Sequence, residues 1–389
     1  MKTKKEQKTA LVLSGGGSRG AYQAGAWRAL EELGIKFDMV VGVSVGAING
    51  AMVVQNERVF SEDLWRRIEA DQIFEVEAGA QPIDYAAEAL KQGGVSSAPL
   101  QKLVDKYILD DVIRESPIDF GLLTVEMPAY KLHYLWKDDI PKGKIPDYVV
   151  ASASVFPGVK PKEIDGKHFV DGGAGNSMPI HMAVEHGATK VVAIYLKTPG
   201  RFDLKKEMAS CDDTILIQPQ FDLGNFLVFD KNNSARLLRL GYMDAMKAFN
   251  VYDGKAYSFI KGEFDKRDLS YAESAAKVFE LDPLILYGKE SFVEALSAAV
   301  ESAEKELAGS IKESKSLVKR GFSINSATDD LRRLKDILKT ANKKSSTLFM
   351  ATDMRNHGEK SVFNHQYALR VLGDGVAAAR FINKYIKMK

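Results

Sequence analysis

Apolar and polar positions change their spacing along this chain, and the changes divide it. Ala10–Leu13 is an unbroken apolar run, as in a strand buried on both faces. From Gly20 to Leu33 the residues Tyr22, Ala26, Ala29, Leu30 and Leu33 recur at helical spacing, and Gly34 closes the run as a helix stop. Met39–Val43 predicts a second strand and Ala47–Val54 a second helix. Leu122–Val125 and Tyr130–Leu135 read as strands separated by Pro128, and Tyr148–Ser154 as a short helix. Val191–Leu196 and Thr214–Gln218 read as two more strands. Strands alternating with helices predict an α/β fold with a mainly parallel sheet covered on both faces. The stretch from about Ser61 to Pro117 reads as mostly helical, an insertion or cap over that sheet.

Beyond about Asn250 the character changes. Ser291–Leu307 and Leu331–Ala341 are helical patterns rich in Lys, Glu and Arg, and Ser291-Phe-Val-Glu294 has the form of a capping box. His365–Lys387 predicts another helix, broken near Gly373-Asp-Gly375. Strand signals are sparse here. This gives two parts, residues 8–264 as an α/β domain and residues 265–389 as an α-helical C-terminal region.

Composition narrows the class. The 389 residues are 45% hydrophobic, enough for a sizeable core. A net charge of +2 argues against a nucleic-acid binder. The charge is uneven, however: residues 301–389 hold 18 Lys/Arg against 10 Asp/Glu, leaving the rest at −6. That basic end is a candidate for peripheral contact with an anionic membrane surface; the plainer reading is a solvated helical surface. Its helices could equally pack on the α/β core or on a second subunit in a homo-oligomer. Cys211 is the sole cysteine, so no intramolecular disulfide forms. The opening Met1–Lys8 is basic, but the apolar run after it is too short for a signal peptide, and no stretch reaches the ~20 apolar residues that span a bilayer. The expectation is a cytoplasmic protein, unless it is exported without a cleaved signal.

The second strand leads straight into Gly42-Val43-Ser44-Val45-Gly46 and a helix. That is the layout of a nucleophile elbow, in which a strained strand-to-helix turn lifts a serine hydroxyl above the sheet. The two glycines are expected because side chains there would clash, and the helix would point its positive end at the site. The plain alternative is a tight turn with an idle serine.

Directly after the first strand stands Ser14-Gly15-Gly16-Gly17-Ser18-Arg19-Gly20. Its bare N–H groups suit negative charge. Gly15, Gly17 and Gly20 satisfy the dinucleotide fingerprint, but the acid that should end the second strand is absent; Asp38 stands before that strand. The competing reading is an oxyanion hole for Ser44, with Arg19 adding positive charge or anchoring the loop. A serine needs a base. His133, His168, His181, His186, His357 and His365 all stand in segments that suit structural or surface roles. Asp171 ends an apolar run and opens Gly172-Gly173-Ala-Gly-Asn176, where a carboxylate can take the serine proton directly. Taken alone, Asp171-Gly172 could also be a simple turn.

Together the three segments resemble the patatin-like phospholipase family over roughly residues 8–250. Ala151–Gly158, Asn176–Ile180, Leu223–Asp230 and Arg239–Ala245 resemble further stretches of it. The resemblance implies a three-layer α/β/α sandwich and a Ser-Asp dyad without catalytic His. Ser44 would be the nucleophile and Asp171 the base; Gly15, Gly16 and Gly17 would line the oxyanion hole, with Arg19 helping to hold it. The substrates implied are lipid or acyl esters, with no metal and no cofactor. A general carboxylesterase or thioesterase on the same fold, or a membrane- or protein-binding module with a vestigial site, are the alternatives. Many members have Asp before the glycine run where this chain has Ser14, which puts the loop's local hydrogen bonds in question. Residues 265–389 take no function from the resemblance.

Overall fold

The computed structural model describes residues 7–75, 94–306 and 342–387. They form two compact units, dividing between Phe249 and Asn250. Among the described residues no helix is long and apolar enough to cross a membrane.

The N-terminal unit is built on an eight-stranded sheet in the order β5-β6-β3-β2-β1-β7-β8, with β4 pairing β3 off this path. The strands are β1 (Thr9–Leu13), β2 (Met39–Val43), β3 (Asp119–Met127), β4 (Lys131–Trp136), β5 (Lys162–Ile164), β6 (Lys167–Asp171), β7 (Lys190–Ile194) and β8 (Thr214–Ile217). The core pairs β3-β2-β1-β7-β8 are parallel, whereas β4, β5 and β6 join antiparallel. Alternate residues of the buried strands serve opposite faces. Ala10 and Val12 pack towards Ile180, Met182 and Ala183 of helix Ile180–Glu185. On the other face Leu13, Val40 and Phe120 stand against Gly50 of helix Val45–Val54. Helices on both faces complete the three layers. The runs at β1, β2, β3 and β7 read as unbroken apolar stretches because both their faces are covered, which removes any alternation.

The expected short helix is Ile145–Ser152. Within the span expected to be helical, Arg58–Arg67, Ala98–Tyr107 and Asp110–Glu115 are helices, and residues 76–93 lie outside the described residues.

The C-terminal unit is mostly helical, with Lys266–Phe279, Lys289–Glu306, Lys343–His357, Gln366–Leu372 and Asp374–Tyr385. It also holds a small three-stranded sheet of Tyr252–Asp253, Ser258–Ile260 and Leu286–Tyr287. Strands of two or three residues are too short to show an alternation, which is why the sequence pattern passes over them. The helix expected from Ser291 begins at Lys289, so Ser291 is not its N-cap; its hydroxyl instead accepts from Gly288 N–H at 3.0 Å. The break near Gly373 is real, with φ +56° there. The helix expected over Leu331–Ala341 lies outside the described residues.

Candidate active site

Strand β3 positions the site. On one edge its residues Asp119–Leu123 pair with β2, and its residues Thr124–Met127 pair with β6. Strand β4 takes residues Gly121–Glu126 and so occupies the other edge. The parallel β2 and the antiparallel β6 therefore run head-on along the same edge and end at adjacent rungs, Val43 opposite Leu123 and Asp171 opposite Thr124. Ser44 follows β2 directly and Asp171 ends β6, so two residues more than a hundred positions apart meet at one junction.

Backbone geometry at the junction is tight. Ser44 has φ 57°, a strained value for a residue with a side chain. A Cβ on Gly42 would come within 2.2 Å of Gly46 O, and one on Gly46 within 2.3 Å of Leu13 O. The elbow therefore exists only with glycine at both places. The seam between the strand ends is closed by Ser152, which is fully buried at the end of its helix. Its Oγ accepts from Ser44 N–H at 2.9 Å and donates to Leu123 O at 2.7 Å. Asp171 N–H donates to Ser154 O at 2.9 Å. The Ala151–Gly158 stretch thus braces both members of the pair.

Asp171 is 7% exposed, accepts from Gly173 N–H at 2.7 Å, and is hydrogen-bonded to the Ser44 side chain. Burial pushes its carboxyl up to about 6, although both hydrogen bonds pull the other way. Such a group is ionised at neutral pH yet basic enough to draw on a hydroxyl proton.

Gly15, Gly16 and Gly17 line the same cavity as Ser44 and Asp171. Their donors are not equivalent: Gly15 N–H is committed to Ser177 O at 3.2 Å. Among the described residues the N–H groups of Gly16 and Gly17 have no partner, which leaves them for an oxyanion. Gly17 has φ +54°, and a Cβ there would fall 2.2 Å from Phe226 O. Ser14 replaces an expected Asp without loosening the loop, for its buried Oγ accepts from Leu196 N–H at 2.9 Å.

Arg19 takes the anchoring role rather than the charge-supplying one. Its Nε and Nη2 donate to Gly224 O at 2.9 and 2.7 Å, and its Nη1 to Leu196 O and Lys197 O, both at 3.2 Å. It clamps the glycine loop to two neighbouring loops and does not line the cavity. None of the six histidines lines it either. His133 pairs with Glu126, His181 with Glu207, and His186 stacks on Trp136. The dinucleotide alternative has no support, because Asp38 accepts from Thr9 N–H at the opposite end of the sheet from Ser44. Among the described residues no three His, Cys, Asp or Glu side chains gather as metal ligands.

The cavity measures about 340 Å³. Apart from the loop and the pair its walls are mostly apolar, with Ile48, Met52, Leu64, Trp65, Phe74 and Leu100 among them beside a few polar groups such as Asn49 and Thr198. Ser152 and Ser154 were not singled out by the sequence, where they appear only as small residues in a family-like stretch.

Residues 11–184 match the patatin-like phospholipase family. Patatin-like phospholipase domain-containing protein 6 of Mus musculus is 30% identical over 254 residues, covering 64% of this chain and 18% of that protein. The neuropathy target esterase sws of Drosophila melanogaster is 28% identical over 230 residues, 57% of this chain and 14% of that one. The chain thus spans under a fifth of the length of these curated relatives. Among solved structures, VipD from Legionella pneumophila aligns over 98% of this chain and 91% of its own, at 14% identity and a TM-score of 0.40. Residues 11–184, which hold the elbow, the glycine loop and Asp171, are thus similar to the patatin-like phospholipase family.

Proposed function

We propose that this protein is a serine acyl hydrolase that cleaves carboxylic ester bonds of lipids or phospholipids through Ser44 and Asp171. The observation that carries the reading is the junction on β3, where a strained serine meets a buried carboxylate at the wall of an apolar cavity. An apolar cavity with a few convergent polar groups suits an acyl chain joined to an ester.

In the reaction the ester carbonyl oxygen lies against the free N–H groups of Gly16 and Gly17. Ser44 Oγ attacks the carbonyl carbon while Asp171 takes its proton. The tetrahedral oxyanion collapses, the C–O bond breaks, and Asp171 returns the proton to the leaving alkoxide. A water molecule, its proton accepted by Asp171, then attacks the acyl-enzyme and releases the fatty acid, and Ser44 regains its proton. Each oxyanion donor is worth ~10²–10³ in rate. Arg19 acts at one remove, by holding the loop that carries those donors.

Ser44→Ala and Asp171→Asn should each lower hydrolysis of a dissolved p-nitrophenyl ester by about 10³–10⁴-fold with the fold intact. Substantial activity in Asp171→Asn would overturn the dyad. Mass spectrometry of the products from a mixed lipid extract, with Ser44→Ala as control, tests the substrate class. Free fatty acids from phospholipid support the reading, and turnover of short soluble esters alone favours a general carboxylesterase.

A further inference from the structure

We infer that the mouth of the cavity is a membrane-docking rim, made of three loops of the N-terminal unit, that seats the site on an anionic lipid surface; this rests on the lipid-ester reading above. The loops are residues 127–132, 155–160 and 197–201. Each contributes to the cavity wall, through Met127 and Tyr130, Val155 and Phe156, and Thr198 and Pro199.

Exposed large hydrophobic side chains cluster here. Among the described residues of the N-terminal unit six such side chains are exposed, and three of them lie in these loops: Phe156 at 52% and Tyr130 at 40%, which line the cavity, and Leu132 at 38%. Scattered single cases need no explanation, but a cluster around a cavity entrance does. Leu132 leans over Gly175 of the Asp171 loop, and the Arg201 guanidinium lies 5.5 Å from the Tyr130 ring centre. Pro128, Pro157 and Pro199, also exposed, lie in the same loops.

Charge supplies the second argument. The three loops contain Lys131, Lys160, Lys197 and Arg201 and no acidic residue. Lys131, Lys160 and Arg201 are exposed, and no ion pair holds them among the described residues. Of the acids that flank these loops in sequence, Glu126 is paired with His133 and Lys167, Asp203 caps the helix Leu204–Met208, and Glu163 is exposed. Apolar tips among unpaired cations match a bilayer with acidic headgroups: the rings enter the acyl boundary while the cations meet phosphate. A second protein would have to supply acidic groups and a matching apolar face together, whereas a bilayer presents both. Docking at the mouth would let a lipid pass from the bilayer to Ser44 without crossing water.

The test separates docking from chemistry. Full-length protein carrying Ser44→Ala is sedimented with phosphatidylcholine vesicles with and without phosphatidylglycerol. It should bind the anionic vesicles more tightly, and added salt should weaken that preference. In the same background Lys131→Gln with Lys160→Gln should weaken binding to the anionic vesicles by about 30-fold. Phe156→Ser should weaken binding to both vesicle types by about 10-fold. With Ser44 intact, the double lysine variant should keep its hydrolysis of a dissolved short ester within about twofold, because neither lysine lines the cavity. Vesicle binding indifferent to both changes would overturn the rim, as would loss of dissolved-ester hydrolysis in the lysine variant. Rim-dependent binding by a protein that hydrolyses no ester would uphold the rim and refute the reaction.

Discussion

Around Ser44 the N-terminal unit buries polar groups: Ser14, Ser152, Asp171 and Asn176 are each at most 8% exposed. Every one of them has fixed partners, from Leu196 N–H on Ser14 to the 2.7 Å bond between Asn176 and Glu207. Around Phe292 the C-terminal unit buries rings instead. Phe259, Tyr287 and Phe381 surround Phe292 with ring centres 5.2 to 5.5 Å away, mostly edge to face. A buried polar group must find its partner within a few tenths of an ångström or lose its desolvation energy, so a polar core fixes atoms where chemistry needs them. Ring packing is satisfied by volume and holds a shape without aiming any group. On the proposed reading the reaction belongs to the first region, while the rings of the second fill volume.

The largest effect that could break this contrast comes from Phe292→Ala. Emptying the centre of the ring cluster should cost the C-terminal unit about 3–5 kcal/mol. Hydrogen exchange should accelerate across residues 250–306 and 342–387, while the rate on a dissolved ester, measured below the unfolding transition, stays as it was. A fall in turnover that tracks the exchange would mean that the ring cluster supports the reaction, and the contrast would fail.

A smaller effect sharpens it from the other side. Asp171 holds its proton up to about 6, where an ordinary aspartate releases it near 3.8. Turnover should therefore rise with pH through about 6 and level off above it, since the base works only when ionised. Stability runs the opposite way. Between those two values the folded protein binds the proton that the unfolded chain has lost, so stability falls as pH rises through the window. Above it the buried charge costs on the order of 3 kcal/mol, and Asp171→Asn should recover much of that while abolishing turnover. Melting temperatures at pH 7 and pH 4 check this: the variant should gain at pH 7 and show little difference at pH 4. Equal gains at both would place the effect in packing rather than in the buried charge.

How much of this was legible in the sequence follows from the same contrast. The elbow could be read because its steric demand falls on two glycines four residues apart, and Asp171 because it ends an apolar run in a glycine loop. The head-on meeting of β2 and β6 could not, since register along an edge is a tertiary fact and five-residue runs carry no sign of their partners. The commitment of Gly15 N–H to Ser177 O and the turning of Arg19 onto three carbonyls are hidden for the same reason: both depend on segments more than 150 residues away. In the ring-packed region Lys289–Glu306 and the pair over Gln366–Tyr385 were legible from their spacing, but Lys266–Phe279, Lys343–His357 and the short strands were not, and the ring cluster reads only as scattered aromatics until the chain folds.

Ser152 puts the finest edge on the comparison. Its hydroxyl ties the elbow to β3 at the junction, taking Ser44 N–H and giving to Leu123 O. Ser152→Ala leaves a buried donor and a buried acceptor without partners, a loss of about 1–3 kcal/mol. If that hydroxyl sets the height of the elbow, part of the loss falls on the transition state. Turnover of a dissolved ester should then drop about tenfold with KM little changed, and the rise through pH 6 should stay in place because Asp171 keeps its surroundings. Ser152→Thr, which keeps the hydroxyl, should recover most of the rate. A Ser152→Ala protein that melts earlier yet turns over at the full rate would show that the junction tolerates slack, and that the polar core is built for stability as the ring core is.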